Sequence, residues 1–200
     1  MQAMSQDAQP IAAQIVLDTI RQRRTTDLLK LRPDPIPQDI LENILSAATW
    51  APTHGRREPW RFTVFTGEGR RKLADLFARA YAGSSAPDHA SPEAQQNQRD
   101  RVMKAPVWIS LELHIPQPPK FPQWEEEDAL ACAAQNILLA ATAYGLASKW
   151  VSGVAMISPL TAQELGAPEL RGFIFLGYAA EAPKDSTRAP IGEKVRWVQE

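Results

Sequence analysis

Arg21, Arg23 and Arg24 are followed at once by Thr25, which puts three guanidinium groups and a hydroxyl within five residues. Guanidinium forks match the oxygens of a phosphate, and a threonine hydroxyl adds a donor. The cluster also ends a stretch in which Ile11, Ile15, Val16 and Ile20 fall at helical spacing after Pro10. Cations at a helix C-terminus complement its dipole, so these residues alone serve a phosphate clamp and a plain helix end equally. The second group is His54, with Arg56 and Arg57, in a loop bracketed by Pro52 and Pro59. Each proline biases the residue before it away from helix. A loop so stiffened, polar and rimmed by Trp60, suits the wall of a flat ligand. An ordinary helix-to-strand connection is the reading these residues favour when taken alone.

Other reactive types have plainer uses. Cys132 lies in an alanine-rich apolar stretch with nothing nearby in sequence to activate it, which makes it an expected inert core residue. His114 alternates with strand residues and is expected to be structural. Gly67-Glu68-Gly69 is a turn, since the dinucleotide-binding glycine pattern is incomplete. There is no Walker loop, no G-x-S-x-G elbow and no H-E-x-x-H. The chain offers cations, aromatics and loops without an acid-base or nucleophile signature, which fits a protein whose cofactor carries the chemistry.

Composition sets the bounds. Two hundred residues suffice for one domain with a real core, and 44% hydrophobic with 22% charged residues are ordinary globular values. A net charge of −1 gives no general attraction to nucleic acid or to an anionic membrane. One cysteine excludes an intrachain disulfide and, with three scattered histidines, leaves no expectation of a metal site. No apolar run reaches the length of a membrane span. The polar N-terminus lacks a signal pattern, so a reducing cytoplasm is the expected compartment.

The elements that must hold these groups follow from periodicity. Residues 1–9 read as a frayed tail, and a helix runs from Pro10 into the arginines. A proline-punctuated connector covers 26–37. A helix over 38–49 presents Ile40, Leu41, Ile44, Leu45 and Ala48 on one face. A strand is predicted over 60–66 and a helix through Leu73, Leu76, Phe77, Ala80 and Tyr81. An exposed loop follows over 82–92, then a peripheral polar helix over 92–104 and a strand over 106–115. Phe121 and Trp124 are expected to pack, with a lid over a ligand as the other reading. The Glu125-Glu126-Glu127 run is expected to be solvated or to benefit from a helix dipole. Asp128 to Tyr144 is apolar all round, so burial on every side is expected, which suggests a subunit interface. Short strands are predicted over 148–154 and 172–178, separated by a small helix after Ser158-Pro159. No internal repeat and no second-domain boundary is evident, so residues 1–200 read as one domain.

Ala51-Pro52-Thr53-His54, followed by Glu58-Pro59-Trp60-Arg61-Phe62, resembles the "AP-S/D-x…Q-P-W-x-F" loop of the FMN-dependent nitroreductase family. Arg23-Arg24-Thr25 resembles that family's N-terminal "R-R/H-S" phosphate motif, at the usual separation, and nearly the whole chain is covered. The resemblance is to the compact bacterial subgroup. It implies an α+β fold with a mainly antiparallel central sheet flanked by helices, assembled as an intertwined homodimer with FMN at the subunit interface. It also implies an NAD(P)H-dependent flavin oxidoreductase that passes two electrons to nitroaromatic, quinone or related electron-poor acceptors in ping-pong order.

By motif, the resemblance gives Arg23, Arg24 and Thr25 the FMN phosphate and ribityl chain. It brings His54 to the flavin from the partner subunit and lays Trp150, Val151 and Ser152 along the isoalloxazine ring. Arg188, in a segment resembling the family's terminal "R-x-P-L-E-E-V", adds a second cation on the phosphate, and residues 140–145 border the nicotinamide. No catalytic side chain and no metal is implied. Departures are Asp27 where a cation is common, Arg56 and Glu58 where Asn and Gln are frequent, and Trp50 where relatives can carry Arg. Rival readings are a flavin carrier without turnover, dehalogenation or dehydrogenation on the same fold, and an interaction domain using Arg21 to Arg24 on RNA or DNA.

Overall fold

The structure is a computed structural model that describes residues 8–84, 86–115 and 117–199. Along the chain, α1 (Ala8–Gln22), β1 (Leu31–Arg32), α2 (Gln38–Ala48), β2 (Trp60–Arg61) and β3 (Val64–Phe65) make up the first third. Then come α3 (Gly69–Ala82), α4 (Pro92–Lys104), β4 (Val107–Leu113) and the long α5 (Gln123–Ala143). The last part holds β5 (Ala147–Val151), α6 (Pro159–Glu164) and β6 (Glu169–Ala179). Six strands form one antiparallel sheet in the order β1-β6-β4-β2, with β3 also on β4 and β5 also on β6.

The two middle strands are apolar on both sides because both faces of the sheet are covered. Ile109 and Leu111 of β4 with Ile174 and Leu176 of β6 pack under α2 and α5, joined by Ile44, Leu130 and Ile137. Trp108, Phe173 and Phe175 point the other way, onto Leu73 and Phe77 of α3 and Val102 of α4. Trp108 Nε1 donates to Val102 O at 2.9 Å, so the largest buried ring keeps its polar atom satisfied. Ser91 and Ser158 accept from Ala94 N and Thr161 N, and each precedes a proline, as helix starts require.

Several expectations need correction. Ala8 and Gln9 belong to α1; residues 1–7 lie outside the described residues. The strand expected over 60–66 is split in two. Thr63 N donates to the Ser110 side chain at 2.8 Å instead of to a ladder carbonyl, and the register of β4 shifts between Ser110 and Glu112. The connector over 26–37 contains a 3-10 turn, Leu28–Lys30, and β1. β5 ends at Val151, after which the chain turns through Met156 N donating to Gly153 O at 2.8 Å. The 82–92 segment holds a 3-10 turn, Pro87–Ala90, and Ser85 within it lies outside the described residues.

The largest correction concerns α5. It is not buried all round: Ala133, Ala134, Ile137 and Ala141 are buried, while Trp124, Asp128, Cys132 and Gln135 face outward. Within one chain, α2 and the sheet cover only one side. Cys132 is therefore exposed and not a core residue. α1 leaves Ile11 66% and Ile15 62% exposed, and the final segment leaves Trp197 80% exposed.

Candidate functional site

α1 ends at Gln22, and the next residues are fastened to the sheet. Thr25 forms a parallel bridge with Ser148, and Thr26 N donates to Ser148 O at 3.2 Å. This turns the arginine segment across the start of β5. A hollow of about 460 Å³ opens there, lined by Arg23, Arg24, Thr25, Asp27, Lys184 and Arg188 among others. A neighbouring hollow of about 500 Å³ shares Arg23, Arg24 and Arg188 and reaches Gln135 on α5.

The three arginines are not equivalent. Arg24 Nη1 donates to Arg21 O and, at 3.0 Å, to Arg23 O, so it caps the last carbonyls of α1. Its Nε is buried and has no partner among the described residues, and Ser148 Oγ is in the same condition. Arg23 makes no side-chain hydrogen bond or ion pair among the described residues. Arg188 Nη1 donates to Ser186 Oγ at 2.6 Å and Thr187 O at 2.8 Å, both within its own C-terminal segment. Asp27 accepts from Leu29 N at 2.9 Å and so caps the 3-10 turn. Its carboxylate has a local structural use at a position where a cation was expected.

Trp150, Val151 and Ser152 continue from this corner, two to four residues beyond Ser148. At about 3.3 Å per residue that is roughly 7–13 Å. Trp150 lies opposite Ile174 and so faces the α5 layer, with Nε1 donating to Arg171 O at 3.1 Å. Val151 lies opposite Phe173 and turns its side chain to the other layer, leaving only its backbone toward the α5 side. Ser152 is exposed beyond the strand end. Gly172 sits beneath them at φ +113°, where a Cβ would stand 2.3 Å from Val151 O. β5 and β6 approach there as closely as glycine alone permits.

His54 is elsewhere. Its loop takes a 3-10 turn in which Gly55 (φ 60°) and Arg56 (φ 57°) are both left-handed, and Glu58 (φ 47°) repeats this two residues on. The turn sets the imidazole face to face with Phe121, ring centres 3.6 Å apart and planes at 19°, with Nδ1 2.6 Å from Glu125 Oε2. Phe121 packs, as expected, whereas Trp124 stays 61% exposed. Glu125 opens α5, while the arginine hollows lie against Gln135 and, through a third hollow of about 330 Å³, Thr142 and Gly145. From Glu125 to Thr142 the helix runs about 25 Å. Arg23, Arg24, Thr25 and Arg188 are brought together, with β5 beside them; His54 is not brought to them within one chain.

Of the acidic run only Glu126 is buried, and Glu125 and Glu126 stand in the first turn of α5, the helix-dipole alternative expected above. Successive helical residues point about 100° apart, and each carboxylate meets a different basic side chain. Glu125 takes His54, Glu126 takes Arg57 Nε at 3.2 Å while only 3% exposed, and Glu127 takes Arg171 at 2.7 Å. Arg171 also reaches Glu169 at 2.8 Å. The hydrogen bond from Arg171, aided by one from Gln123, holds the Glu127 carboxyl below its ordinary value. Partial burial of Arg171 opposes its charge, but hydrogen bonds to Glu127 and Glu169 outweigh this and raise its value. Sequence reasoning missed all three pairs. The only signal was the run itself, placed just before an apolar helix.

The Nitroreductase family model matches residues 20–178, and the chain belongs to that family, which makes it an oxidoreductase. YdjA of Escherichia coli, provisionally named an NAD(P)H nitroreductase, is 31% identical over 164 residues, 80% of this chain and 86% of its own. A nitroreductase-like family protein from Bacillus cereus superposes with TM-score 0.80 at 27% identity over 100% of both chains. A nitroreductase with bound FMN from Bacteroides fragilis gives 0.66 at 26%, covering 92% of this chain and 98% of that one. The expected family and α+β architecture hold. No helix among the described residues is long and apolar enough to cross a membrane.

Proposed function

We propose that the chain is an FMN-dependent NAD(P)H oxidoreductase that reduces nitroaromatic, quinone or related electron-poor acceptors by ping-pong two-electron transfer, working as a homodimer. The observation that carries this reading is the arginine hollow: Arg23, Arg24, Thr25 and Arg188 converge on one cavity, and Arg23 brings to it a guanidinium that no side chain or carbonyl among the described residues engages. A phosphate ester suits the chemistry of this donor set, two guanidinium groups and a hydroxyl. Arg23 and Arg188 would hold the phosphate, Thr25 would donate to it, and the backbone of Trp150 to Ser152 would border the ring. FMN held there would supply the two-electron redox chemistry between NAD(P)H and the acceptor.

The homodimer rests on two features. His54 stands about 15 Å along α5 from the hollow at Gln135 and about 25 Å from the one at Thr142, so a role beside the same cofactor falls to the partner's loop. The apolar face of α1 and the apolar C-terminal segment are open within one chain, and such surface marks an interaction site. Steady-state rates measured against both NAD(P)H and menadione test the activity. Parallel double-reciprocal lines are expected. No nucleotide oxidation with flavin bound would instead support a flavin carrier.

A further inference from the structure

We propose that Glu125 is the positioning residue of His54: its carboxylate keeps a proton on Nδ1, so that Nε2 alone gives and takes protons, toward a molecule bound in the groove beside α5. This deepens, and rests on, the oxidoreductase reading above. The imidazole is fixed on two sides, by the Phe121 ring 3.6 Å from its face and by Glu125 Oε2 2.6 Å from Nδ1. An ionised carboxylate only accepts hydrogen bonds. Nδ1 therefore carries a proton in both the neutral and the charged ring, and the two states differ only at Nε2. Nε2 has no hydrogen-bond partner among the described residues, and the side chain is 59% exposed. It borders an open groove of about 410 Å³ walled by Pro52, Thr53, Trp124, Asp128 and Cys132.

The loop is built to hold this pose. A Cβ on Gly55 would stand 2.8 Å from the Phe121 ring, and left-handed backbone at Gly55, Arg56 and Glu58 is kept despite its cost. The charged groups around the pair are few. Arg57 and Lys120 lie over Phe121 at 5.9 and 5.4 Å, Glu126 is held by Arg57, and Asp128 lines the groove beside Glu125. Arg56 and Glu58 flank the histidine along its own loop.

The chemistry has a place for such a group. Reduction of a quinone consumes one hydride and one proton. The hydride derives from NAD(P)H through the cofactor. The Nε2–H bond of His54 breaks as an O–H bond forms on the acceptor's oxygen, and solvent returns the proton to Nε2. Glu125 stays ionised throughout and keeps the ring oriented.

The test combines ¹⁵N NMR of histidine-labelled protein with rapid-mixing kinetics on the wild type, Glu125→Ala and Glu125→Gln. In the wild type the neutral His54 is expected to be protonated at Nδ1. In Glu125→Ala it should revert to the Nε2–H form that free imidazole prefers, with the His89 and His114 signals unmoved as a check on folding. Menadione reduction by the prereduced enzyme should slow about tenfold or more in Glu125→Ala and show an altered pH profile. The NAD(P)H half-reaction and the FMN content should not change. Glu125→Gln, whose amide oxygen can still accept from Nδ1–H, should recover part of the rate. An Nε2–H form in the wild type, or equal menadione rates in wild type and Glu125→Ala, overturns the proposal. A protein without flavin would overturn the oxidoreductase reading, and the NMR result would still decide what Glu125 does to His54.

Discussion

Arg23 and Arg24 divide the work that their spacing left open. Arg24 ties off α1 through Arg21 O and Arg23 O, and Arg23 keeps its guanidinium for the hollow. Arg23→Ala should therefore weaken FMN binding by roughly ten- to a hundredfold, the worth of charge-assisted hydrogen bonds, as read by quenching of flavin fluorescence, with little change in melting temperature. Glu126→Ala should do the reverse. It removes the carboxylate facing Arg57 in a pair only 3% and 15% exposed, and a broken buried pair costs about 3–5 kcal/mol, measurable by urea unfolding. Proximity in sequence left Arg23 and Arg24 open between a phosphate clamp and a helix end and favoured an ordinary connection for His54; the family's motifs singled them out. The carboxylate pairs were not legible. Their partners lie 71, 69 and 44 residues away, and nothing local announces a pairing that only the docking of α5 creates.

The elements show where periodicity sufficed and where it failed. α2, α3 and the inner strands followed from apolar spacing, since one buried face or two leaves a clear pattern. The strand over 60–66 was over-read because alternation in Trp60, Phe62 and Val64 says nothing of the Ser110 side chain that interrupts the ladder. For α5, one chain covers one side only, and apolar composition does not tell whether another surface covers the second. Gly172 makes the approach of β5 to β6 possible, so Gly172→Ala should cost about 2–4 kcal/mol and lower the melting temperature. The start of α5 is tied to β6 by Arg171 and Glu127. Because the Glu127 carboxyl sits below its ordinary value of 4.5 when folded, the folded state binds fewer protons than the unfolded one just below that pH. Its contribution is thus complete above about pH 4.5 and declines as the pH falls toward its folded value. Glu127→Gln should flatten the acid limb of a stability-versus-pH curve, lowering stability above about pH 4.5 and leaving it nearly unchanged at strongly acid pH.

The molecule as a whole is one sheet, with a cationic hollow at one end of its longest helix and a clamped histidine at the other. The split makes sense when two copies pair so that each hollow meets the other's loop, and the uncovered apolar residues of α1 supply surface for it. Sedimentation should give about twice the chain mass of 22.2 kDa, and Ile15→Asp should shift the protein toward monomer and lose flavin together. The central claim is that the arginine hollow holds FMN. The most direct measurement is the visible absorbance of the purified protein, with the released chromophore identified by chromatography, in the wild type and in Arg23→Ala. Stoichiometric FMN in the wild type and its loss in Arg23→Ala is the expected result; no flavin after incubation with excess FMN, or full occupancy in Arg23→Ala, would contradict it.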